Sequence, residues 1–358
     1  LAVESARVDA ETHPNWLLLG VELAGHCDLR CRHCLRSDLS TVVEFDLDLF
    51  QKIADQAVEL GRPSFAFTGG EVTLHSRFFD FLRILEERSM NCHFVTNGNS
   101  YPRIRQRLLR FRDTCQGISM SIDGATEASH DGIRGKGSFK RVLMAAALAR
   151  RDGHNLTVQM VVGKTNRHEL AAMVKLCENF GIDKLYFAHV QPVKRAEHWN
   201  LPLSPNECRE VEREVRALAD ETRAVGVTMS SGHSDPTPIA HCQTLKHISY
   251  NIDCHGRMTF CCQLSGVAGH PDEADVLADL RTVRLWDAIE RHLTLSDQVT
   301  RARLAYLRNH ENDGDPYRDF HCHFCLKGFG KLAHIDPTWQ ATLGVRATDT
   351  PTRKLRLV

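Results

Sequence analysis

The chain has 358 residues, its 45 Lys and Arg are balanced by 45 Asp and Glu, and 42% of it is hydrophobic. This length suits a large α/β domain with a smaller one, and the neutral charge gives no electrostatic basis for binding nucleic acid or an anionic membrane. No apolar run approaches a membrane span, and the first residues lack the apolar segment of a signal peptide, so we expect a cytoplasmic protein. Thirteen cysteines in such a chain favour metal ligation over disulfides.

The first half of the chain alternates predicted strands with predicted helices. We expect strands at 16–23, 64–68, 91–96, 116–122, 156–162 and 184–190, and helices at 46–60, 78–88, 104–111, 139–151 and 168–180. This alternation predicts parallel strands joined by right-handed crossovers, in an open barrel or a doubly wound sheet. In both folds, ligands bind at the carboxyl ends of the strands.

The pattern changes after the sixth strand. We expect a proline-rich connector at 192–205, a helix at 206–223, a strand at 225–230, a hairpin at 247–252 and 257–261, and a helix at 282–292. The predicted organisation is an N-terminal extension (1–15), a barrel (16–200), a connecting helix and strand (201–240), a small second domain (241–330) and a tail (331–358).

Three cysteines follow the first predicted strand with C-x3-C-x2-C spacing: Cys27, Cys31 and Cys34. Three thiolates can hold three irons of a four-iron cluster, which leaves the fourth iron open for chemistry. The same spacing also suits one buried face of a helix or a zinc knuckle. The charged neighbours favour the cluster over a core helix; they are Asp28, Arg30, Arg32 and His33.

Polar and glycine-rich segments follow the next three predicted strands. They are Gly69-Gly70-Glu71, Thr96-Asn97-Gly98 and Ser121-Ile122-Asp123-Gly124. Each is a weak signal alone, since a Gly-Gly after a strand is usually a tight turn. Together they indicate a single functional rim on a rigid scaffold.

A second cysteine set lies in the last third of the chain and consists of Cys242, Cys261, Cys322 and Cys325. Four thiolates would complete the coordination of a four-iron cluster or of a structural zinc, and the spacing does not decide between them. Cys254 and Cys262 are neighbours, and either is an alternative to Cys261 as the ligand.

These motifs resemble those of the radical S-adenosylmethionine (SAM) superfamily, in its branch with a C-terminal SPASM or Twitch domain. The triplet resembles the family's cluster loop, with His33 where an aromatic residue is usual, and Thr68 to Glu71 resembles its GGE motif. The other matches are Ser119 to Gly124 with Ile133-Arg134-Gly135, and Gly256-x4-Cys261-Cys262 with Ala278-Asp279-Leu280 and Leu285-Trp286. The resemblance covers roughly residues 16–330 and implies a partial (β/α)6 TIM-like barrel with a small auxiliary-cluster domain. No cysteine follows Cys325, which is closer to Twitch, with one auxiliary [4Fe-4S] cluster.

The resemblance also implies a chemistry and a set of binding residues. SAM would chelate the open iron of the [4Fe-4S] cluster and be cleaved reductively to a 5′-deoxyadenosyl radical, which removes a substrate hydrogen atom. The residues implied in binding SAM are Gly69, Gly70, Glu71, Asn97, Ser121, Asp123, Arg134, Val161 and Val162.

Two fates of the substrate radical remain open. In a two-electron oxidation, the auxiliary cluster takes an electron and a base takes a proton; the candidate bases are Glu22, His189 and Asp123. In an epimerisation, a thiol returns a hydrogen atom, and the candidates are Cys254 and Cys262.

Substrate and partners are less determined. The short segment before Cys27 favours a small metabolite, such as a sugar or an aminocyclitol, over a ribosomally made peptide, although a peptide maturase stays an alternative. A run of arginines at 103, 105, 107, 110 and 112 suits an acidic flavodoxin- or ferredoxin-type electron donor, but more simply the solvated face of a helix. A hypothesis of another class is a non-catalytic zinc or iron–sulfur binding module.

Overall fold

The computed structural model describes residues 17–36, 41–234, 242–267, 273–309, 314–339 and 341–344. The predicted extension (1–15) and the last part of the predicted tail (345–358) lie outside the described residues. The described strands are β1 (Leu18–Ala24), β2 (Ser64–Gly69), β3 (Cys92–Thr96), β4 (Cys115–Ser121), β5 (Leu156–Val162), β6 (Lys184–His189), β7 (Gly226–Ser231), β8 (Ser249–Ile252), β9 (Arg257–Thr259) and β10 (Val276–Asp279). The described helices are α1 (Leu47–Glu59), α2 (Phe78–Glu86), α3 (Tyr101–Leu108), α4 (Glu127–Arg134), α5 (Ser138–Arg151), α6 (Leu170–Asn179), α7 (Lys194–His198), α8 (Pro205–Glu221), α9 (Leu285–Asn309) and α10 (His321–Gly328).

All described strands belong to one sheet, in the order β10-β9-β8-β1-β2-β3-β4-β5-β6-β7. Strands β1 to β7 are parallel, which confirms the prediction of a parallel α/β fold. Strand β8 also pairs with β1 in parallel, whereas β9 and β10 are antiparallel to their neighbours. The hairpin of the predicted second domain therefore extends the barrel sheet.

One face of the sheet packs against the helices and forms the core. Phe65 and Phe67 on β2 and Phe94 on β3 are fully buried there. Phe50 of α1 lies between the two β2 rings and Phe81 of α2, with ring centroids 4.8 to 5.7 Å apart in tilted and edge-to-face contacts. Such aromatic pairs stabilise a core beyond the area that they bury, and they hold α1 and α2 under the strand ends.

The other face, here the inner face, has mostly small and polar side chains. Because side chains alternate along a strand, the pairing register places Glu22 beside Thr68, Ser119 beside Thr157, Ser121 beside Gln159, and Gln159 beside Tyr186. Most of these residues are half-buried. The carboxyl ends of β1 to β6 thus surround a polar space rather than a plug of branched apolar residues.

Several elements differ from the prediction. Helix α4 precedes α5 and contains Arg134, which was expected in a loop. Helix α9 has 25 residues and runs well past the predicted 282–292 segment. Strand β10 and helix α10, which contains Cys322 and Cys325, were not predicted.

Candidate active site

The three cysteines of the cluster loop line a cavity of about 140 Å³ at the carboxyl edge of the sheet. The other lining residues are Leu29, His33, Thr68, Gly69, Gly70, Glu71, Val95, Thr96, Asn97, Ser121 and Arg134. The cavity therefore brings the loops after β1, β2, β3 and β4 together, as the sequence motifs predicted from strand order. Asp123 and Val162 do not line it.

The Gly-Gly turn after β2 lies directly against the cluster loop. Gly70 N donates to Ala24 O at 2.6 Å, and Glu71 N donates to His26 O at 2.9 Å. A Cβ on Gly70 would lie 1.9 Å from the His26 carbonyl oxygen, which is a backbone atom that cannot rotate away. Glycine is required here because only it permits this approach.

Substituting Gly70 by alanine is expected to push the His26 carbonyl away and misplace Cys27. We expect a loss of about 1–3 kcal/mol in unfolding free energy from overpacking and a loss of iron from the anaerobically loaded protein. Chemical denaturation and iron analysis measure the two effects. Gly132→Ala is the matched control, since nothing lies within 4 Å of its Cβ position in α4. Equal iron content in the two variants would contradict the role assigned to Gly70.

The carboxylate of Glu71 holds the ends of β2 and β3 together. It accepts from Thr96 Oγ1 at 2.7 Å, Asn97 N at 2.7 Å and Thr73 Oγ1 at 2.6 Å. Burial raises the pKa of Glu71, and these hydrogen bonds oppose the shift. Its side chain thus serves the scaffold, and its backbone contacts the cluster loop.

Asn97 connects the end of β3 to the cluster loop. Its Nδ2 donates to Asp28 Oδ1 at 2.7 Å and lies 3.9 Å from Cys27 Sγ. Asn99 Nδ2 donates to the other oxygen of Asp28 at 2.8 Å. These contacts fix the first cysteine relative to β3.

Asp123 connects three elements behind the cavity wall. Its carboxylate contacts His33 Nε2 at 2.6 Å and Arg134 Nε at 2.5 Å, and accepts from Val161 N at 2.8 Å. Burial favours the neutral acid, but Arg134 and His33 outweigh it and hold the pKa of Asp123 well below its usual range. Asp123 is fully buried and engaged at both oxygens, so these contacts are those of a positioning residue, and its role as a base stays a prediction.

Arg134 brings a positive charge to the thiols. Its NH1 lies 3.8 Å from Cys31 Sγ, and its pKa is raised because the nearby Asp123 outweighs its burial. Arg134 lines the cavity, and a guanidinium there suits an anionic ligand.

The thiol environment fits an iron cluster. Burial raises the pKa of Cys27 to about 12 and that of Cys31 to about 11, so neither thiol ionises readily without a cation. Metal binding displaces such protons. Three cysteines line one cavity with Arg134 beside Cys31, and in number and type they are the donors that a four-iron cluster with one open iron would use.

Five cysteines gather in the second half of the chain: Cys242, Cys261, Cys262, Cys322 and Cys325. Burial raises the pKa of Cys242 to about 11 and of Cys322 to about 12, and the charge of Cys261 acts on both. The charges of Cys242, Cys322 and Cys261 also act on Cys325. The predicted auxiliary ligands thus lie together, but Cys262 contacts Cys261 and joins the group, so the choice between these two ligands remains a prediction.

Glu22 and Cys254 lie next to each other at the boundary between barrel and hairpin. Arg36 forms an ion pair with Glu22 Oε2, and its NH1 lies 4.0 Å from Cys254 Sγ. Asn251 Nδ2 donates to Glu22 Oε1 at 3.3 Å. A Cβ built on Gly25, just before the cluster loop, would lie 3.1 Å from Cys254 Sγ. Both candidates therefore lie beside the cavity's edge.

Two other candidates lie on the core face instead. His189 is buried, and its Nε2 lies 3.2 Å from Glu212 of α8. Val162 is fully buried and pairs with His189 across β5 and β6. Strand alternation therefore points both side chains to the helices, and the expectations that His189 is a base and that Val162 flanks SAM remain predictions. Val161 is the β5 residue on the inner face.

Sequence reasoning missed the residues that position others. Arg36, which contacts Glu22 and Cys254, stands outside every motif, and so does Asn99. Their roles depend on contacts between residues 14 to 218 positions apart, for which a single sequence contains no local signal.

Within the described part of the chain, none of the helices combines the length and apolarity that crossing a bilayer requires.

Comparison with known proteins gives a consistent result. Residues 21–177 match the family model of the Radical SAM superfamily. The AdoMet-dependent heme synthase of Nitratidesulfovibrio vulgaris is 28% identical over 188 residues, which cover 51% of this chain and 50% of that protein. The chain spans about half the length of the curated relatives that it matches first.

Solved structures resemble the fold. Streptococcus suis SuiB bound to S-adenosylmethionine has a TM-score of 0.61 at 16% identity, covering 76% of this chain and 65% of that chain. Native anSMEcpe with bound AdoMet and Cp18Cys peptide has a TM-score of 0.62 at 14% identity, covering 90% of this chain and 97% of that chain. These likenesses show a shared partial-barrel fold.

Proposed function

We propose that this chain, which contains a radical SAM domain at residues 21–177, cleaves SAM reductively and removes a hydrogen atom from a small hydroxyl-rich substrate. The observation that carries the proposal is the single cavity lined by the cysteine triplet, the Gly-Gly turn, Asn97, Ser121 and Arg134. We infer that the substrate is a sugar or an aminocyclitol and that the reaction is a two-electron oxidation.

The residues have distinct roles in this proposal. Cys27, Cys31 and Cys34 would hold the SAM-binding [4Fe-4S] cluster, which would supply the electron for reductive cleavage of SAM and so the radical chemistry of the reaction. The backbone at Gly69 and Gly70 receives the methionyl amino group, and the Arg134 guanidinium attracts the carboxylate.

The inner face supports a hydroxyl-rich substrate. Its polar side chains are Thr68, Ser119, Ser121, Thr157, Gln159 and Tyr186, and none of them has a hydrogen-bond partner among the described residues. Half-buried polar groups of this kind pair with water or with a ligand. They offer both donors and acceptors, which suits neutral hydroxyl groups. A tetrapyrrole would instead require a broad apolar surface, and these positions do not provide one.

Glu22 is the base that its position at the end of β1 favours. Its Oε1 and Oε2 face Asn251 and Arg36 at the end of β1, and we propose that Oε1 accepts the proton released on oxidation. Arg36 holds the carboxylate in place. An auxiliary [4Fe-4S] cluster held by Cys242, Cys261 or Cys262, Cys322 and Cys325 would supply an electron acceptor.

Two experiments test the proposal in sequence. The anaerobically loaded protein with dithionite and SAM should release 5′-deoxyadenosine. A panel of aminocyclitols, hexosamines and short peptides then tests the substrate, and an oxidised cyclitol or sugar is the expected product. A peptide product would instead favour a maturase; the neighbour anSMEcpe is a structure with a bound peptide.

Epimerisation is the second candidate, and the position of Cys254 favours it. This thiol lies beside the cluster loop and Arg36, whereas Cys262 lies in the auxiliary group. A Cys254 thiol that returned a hydrogen atom would leave a thiyl radical, which an electron from the external reductant and a proton would restore.

Turnover in deuterium oxide separates the two fates. We expect an oxidised product without deuterium at the reacting carbon, and Cys254→Ala should retain turnover because oxidation requires no hydrogen donor. Mass spectrometry of the product measures both. A product that has the same formula as the substrate and carries deuterium would contradict oxidation and favour epimerisation, provided that the deuterium is lost in Cys254→Ala but not in the control Cys177→Ala, a core cysteine of α6 in neither cysteine set.

A further inference from the structure

A second cavity, of about 500 Å³, lies at the amino ends of strands β2 to β6. This amino-end cavity is at the opposite end of the sheet from the cluster loop, and its described lining residues differ from those of the candidate active site. Sites for small molecules usually measure about 300–1,000 Å³, so this cavity has the size of a ligand site. Its polar lining side chains include Asn91, His93, Gln116, Thr157, Asp183 and Lys184.

The two cavities adjoin each other on the inner face of the sheet. On β3, His93 lines the amino-end cavity and Val95 lines the candidate active site. They are consecutive inner-face residues, about 7 Å apart along the strand, because side chains alternate. Beside His93 the register places Ala66 of β2 and Gly117 of β4. Neither carries a side chain long enough to separate the cavities, so a ligand that spans about 7 Å reaches from one to the other.

The candidate active site is too small to hold the substrate as well as SAM. Its cavity of about 140 Å³ is lined by the residues proposed to bind the cluster and SAM, and it lies below the usual range of about 300–1,000 Å³ for one ligand. The substrate therefore lies deeper on the inner face, beside Ser119 and Thr157, which pair across β4 and β5. Because Thr157 also lines the amino-end cavity, the far side of the substrate points into it.

The available polar groups of the amino-end cavity are mainly donors. Lys184, exposed at the start of β6, and the half-buried His93 have no polar partner among the described residues. Burial lowers the pKa of His93, and its neutral ring has one N–H to donate. The exposed side-chain amide of Gln116 adds two more N–H groups. The carboxylate of Asp183, by contrast, is paired with Arg150 at 3.0 Å.

We propose that the amino-end cavity is a second substrate subsite, which binds a phosphate or carboxylate group on the side of the substrate away from the reacting carbon. Lys184 supplies the positive charge, and His93 and Gln116 donate hydrogen bonds. The inference rests on the proposed function, since it is the hydroxyl-rich substrate of the inner face that carries this anion. It makes the substrate an acidic sugar or cyclitol derivative.

Equilibrium binding tests the subsite without turnover. Glucose 6-phosphate, glucuronic acid and glucose, which differ at carbon 6, are titrated by isothermal calorimetry into the anaerobically loaded protein with SAM and no reductant. We expect at least one of the two acids to bind about tenfold or more tightly than glucose, because hydrogen bonds to charged groups contribute at least that factor. The acid that binds more tightly identifies the anion as a phosphate or a carboxylate.

A lysine substitution locates the effect. Lys184→Gln should weaken binding of the preferred acid about tenfold and leave the affinity for glucose unchanged. The matched control Lys52→Gln, at an exposed position of α1, should bind like wild type.

Three results would overturn the subsite. They are equal affinities of wild type for the acids and glucose, no binding of any of the three probes, and an affinity of Lys184→Gln for the preferred acid equal to that of Lys52→Gln. Failure of the proposed function would instead appear as a protein that binds the acids as expected but releases no 5′-deoxyadenosine with dithionite and SAM.

Discussion

Cys31→Ala is expected to reduce SAM cleavage to background. Cys31 is the triplet member whose thiol lies 3.8 Å from Arg134, and it is buried. Without it only two thiols remain for the cluster, which is too few for a stable three-iron attachment. Release of 5′-deoxyadenosine under dithionite, together with iron and sulfide analysis after anaerobic loading, measures the effect.

The matched control for this substitution is Cys177→Ala. Cys177 is fully buried in α6 among core residues and belongs to neither cysteine set. Its loss should lower stability moderately by creating a small cavity, while iron content and SAM cleavage remain at wild-type levels. Comparable SAM cleavage in the two variants would show that the triplet does not hold the reactive cluster.

Asp123→Asn is expected to cost about 3–5 kcal/mol of unfolding free energy at neutral pH, because it leaves the buried Arg134 without its countercharge. Asp123 is fully buried and contacts His33, Arg134 and Val161 N. The variant should also bind SAM more weakly, since both His33 and Arg134 line the cavity. Urea denaturation and isothermal calorimetry with SAM measure the two losses.

The pH dependence of the Asp123 effect has a definite sign. Arg134 and His33 lower the pKa of Asp123 in the folded state despite its burial, so the stabilisation is present above its unfolded value of about 4 and is lost as the pH falls below it. The stability difference between wild type and Asp123→Asn should therefore shrink in acid. Asp80→Asn, which removes exposed pairs with Arg77 and Arg83, should change stability little. A wild-type advantage that grew below pH 4 would contradict this account.

The sequence predicted the scaffold well because its signals are local. Strand-length apolar runs alternating with amphipathic helices predict β1 to β6 within one or two residues. The spacing of Cys27, Cys31 and Cys34 and the glycines at 69 and 70 depend on backbone geometry within a few residues. These features are therefore visible in a single chain.

The rest of the site depends on contacts that a single sequence does not contain. A shift of one position along a strand moves a side chain to the other face, which is why Val162 and His189 were assigned to the cavity and lie in the core. The ion pair between Arg36 and Glu22 joins the far end of the cluster loop to β1. The pairing of β8 with β1 depends on segments more than two hundred residues apart.

The second half of the chain was harder to predict for a similar reason. Strands β9 and β10 have three and four residues, too few for a clear alternation. Helix α10 has only eight residues and little amphipathic character, so its periodicity is hard to detect in the sequence. The predicted boundaries at 200, 240 and 330 therefore remain predictions, although β8 makes the barrel and the hairpin one continuous sheet.

The most direct test of the central claim is electron paramagnetic resonance of the anaerobically loaded, dithionite-reduced protein before and after SAM is added. With two clusters bound, about eight irons and eight sulfides per chain are expected. The account predicts that SAM changes the signal of the cluster held by Cys27, Cys31 and Cys34, and that Cys31→Ala abolishes this change. A reduced cluster at the triplet whose spectrum is identical with and without SAM would contradict it.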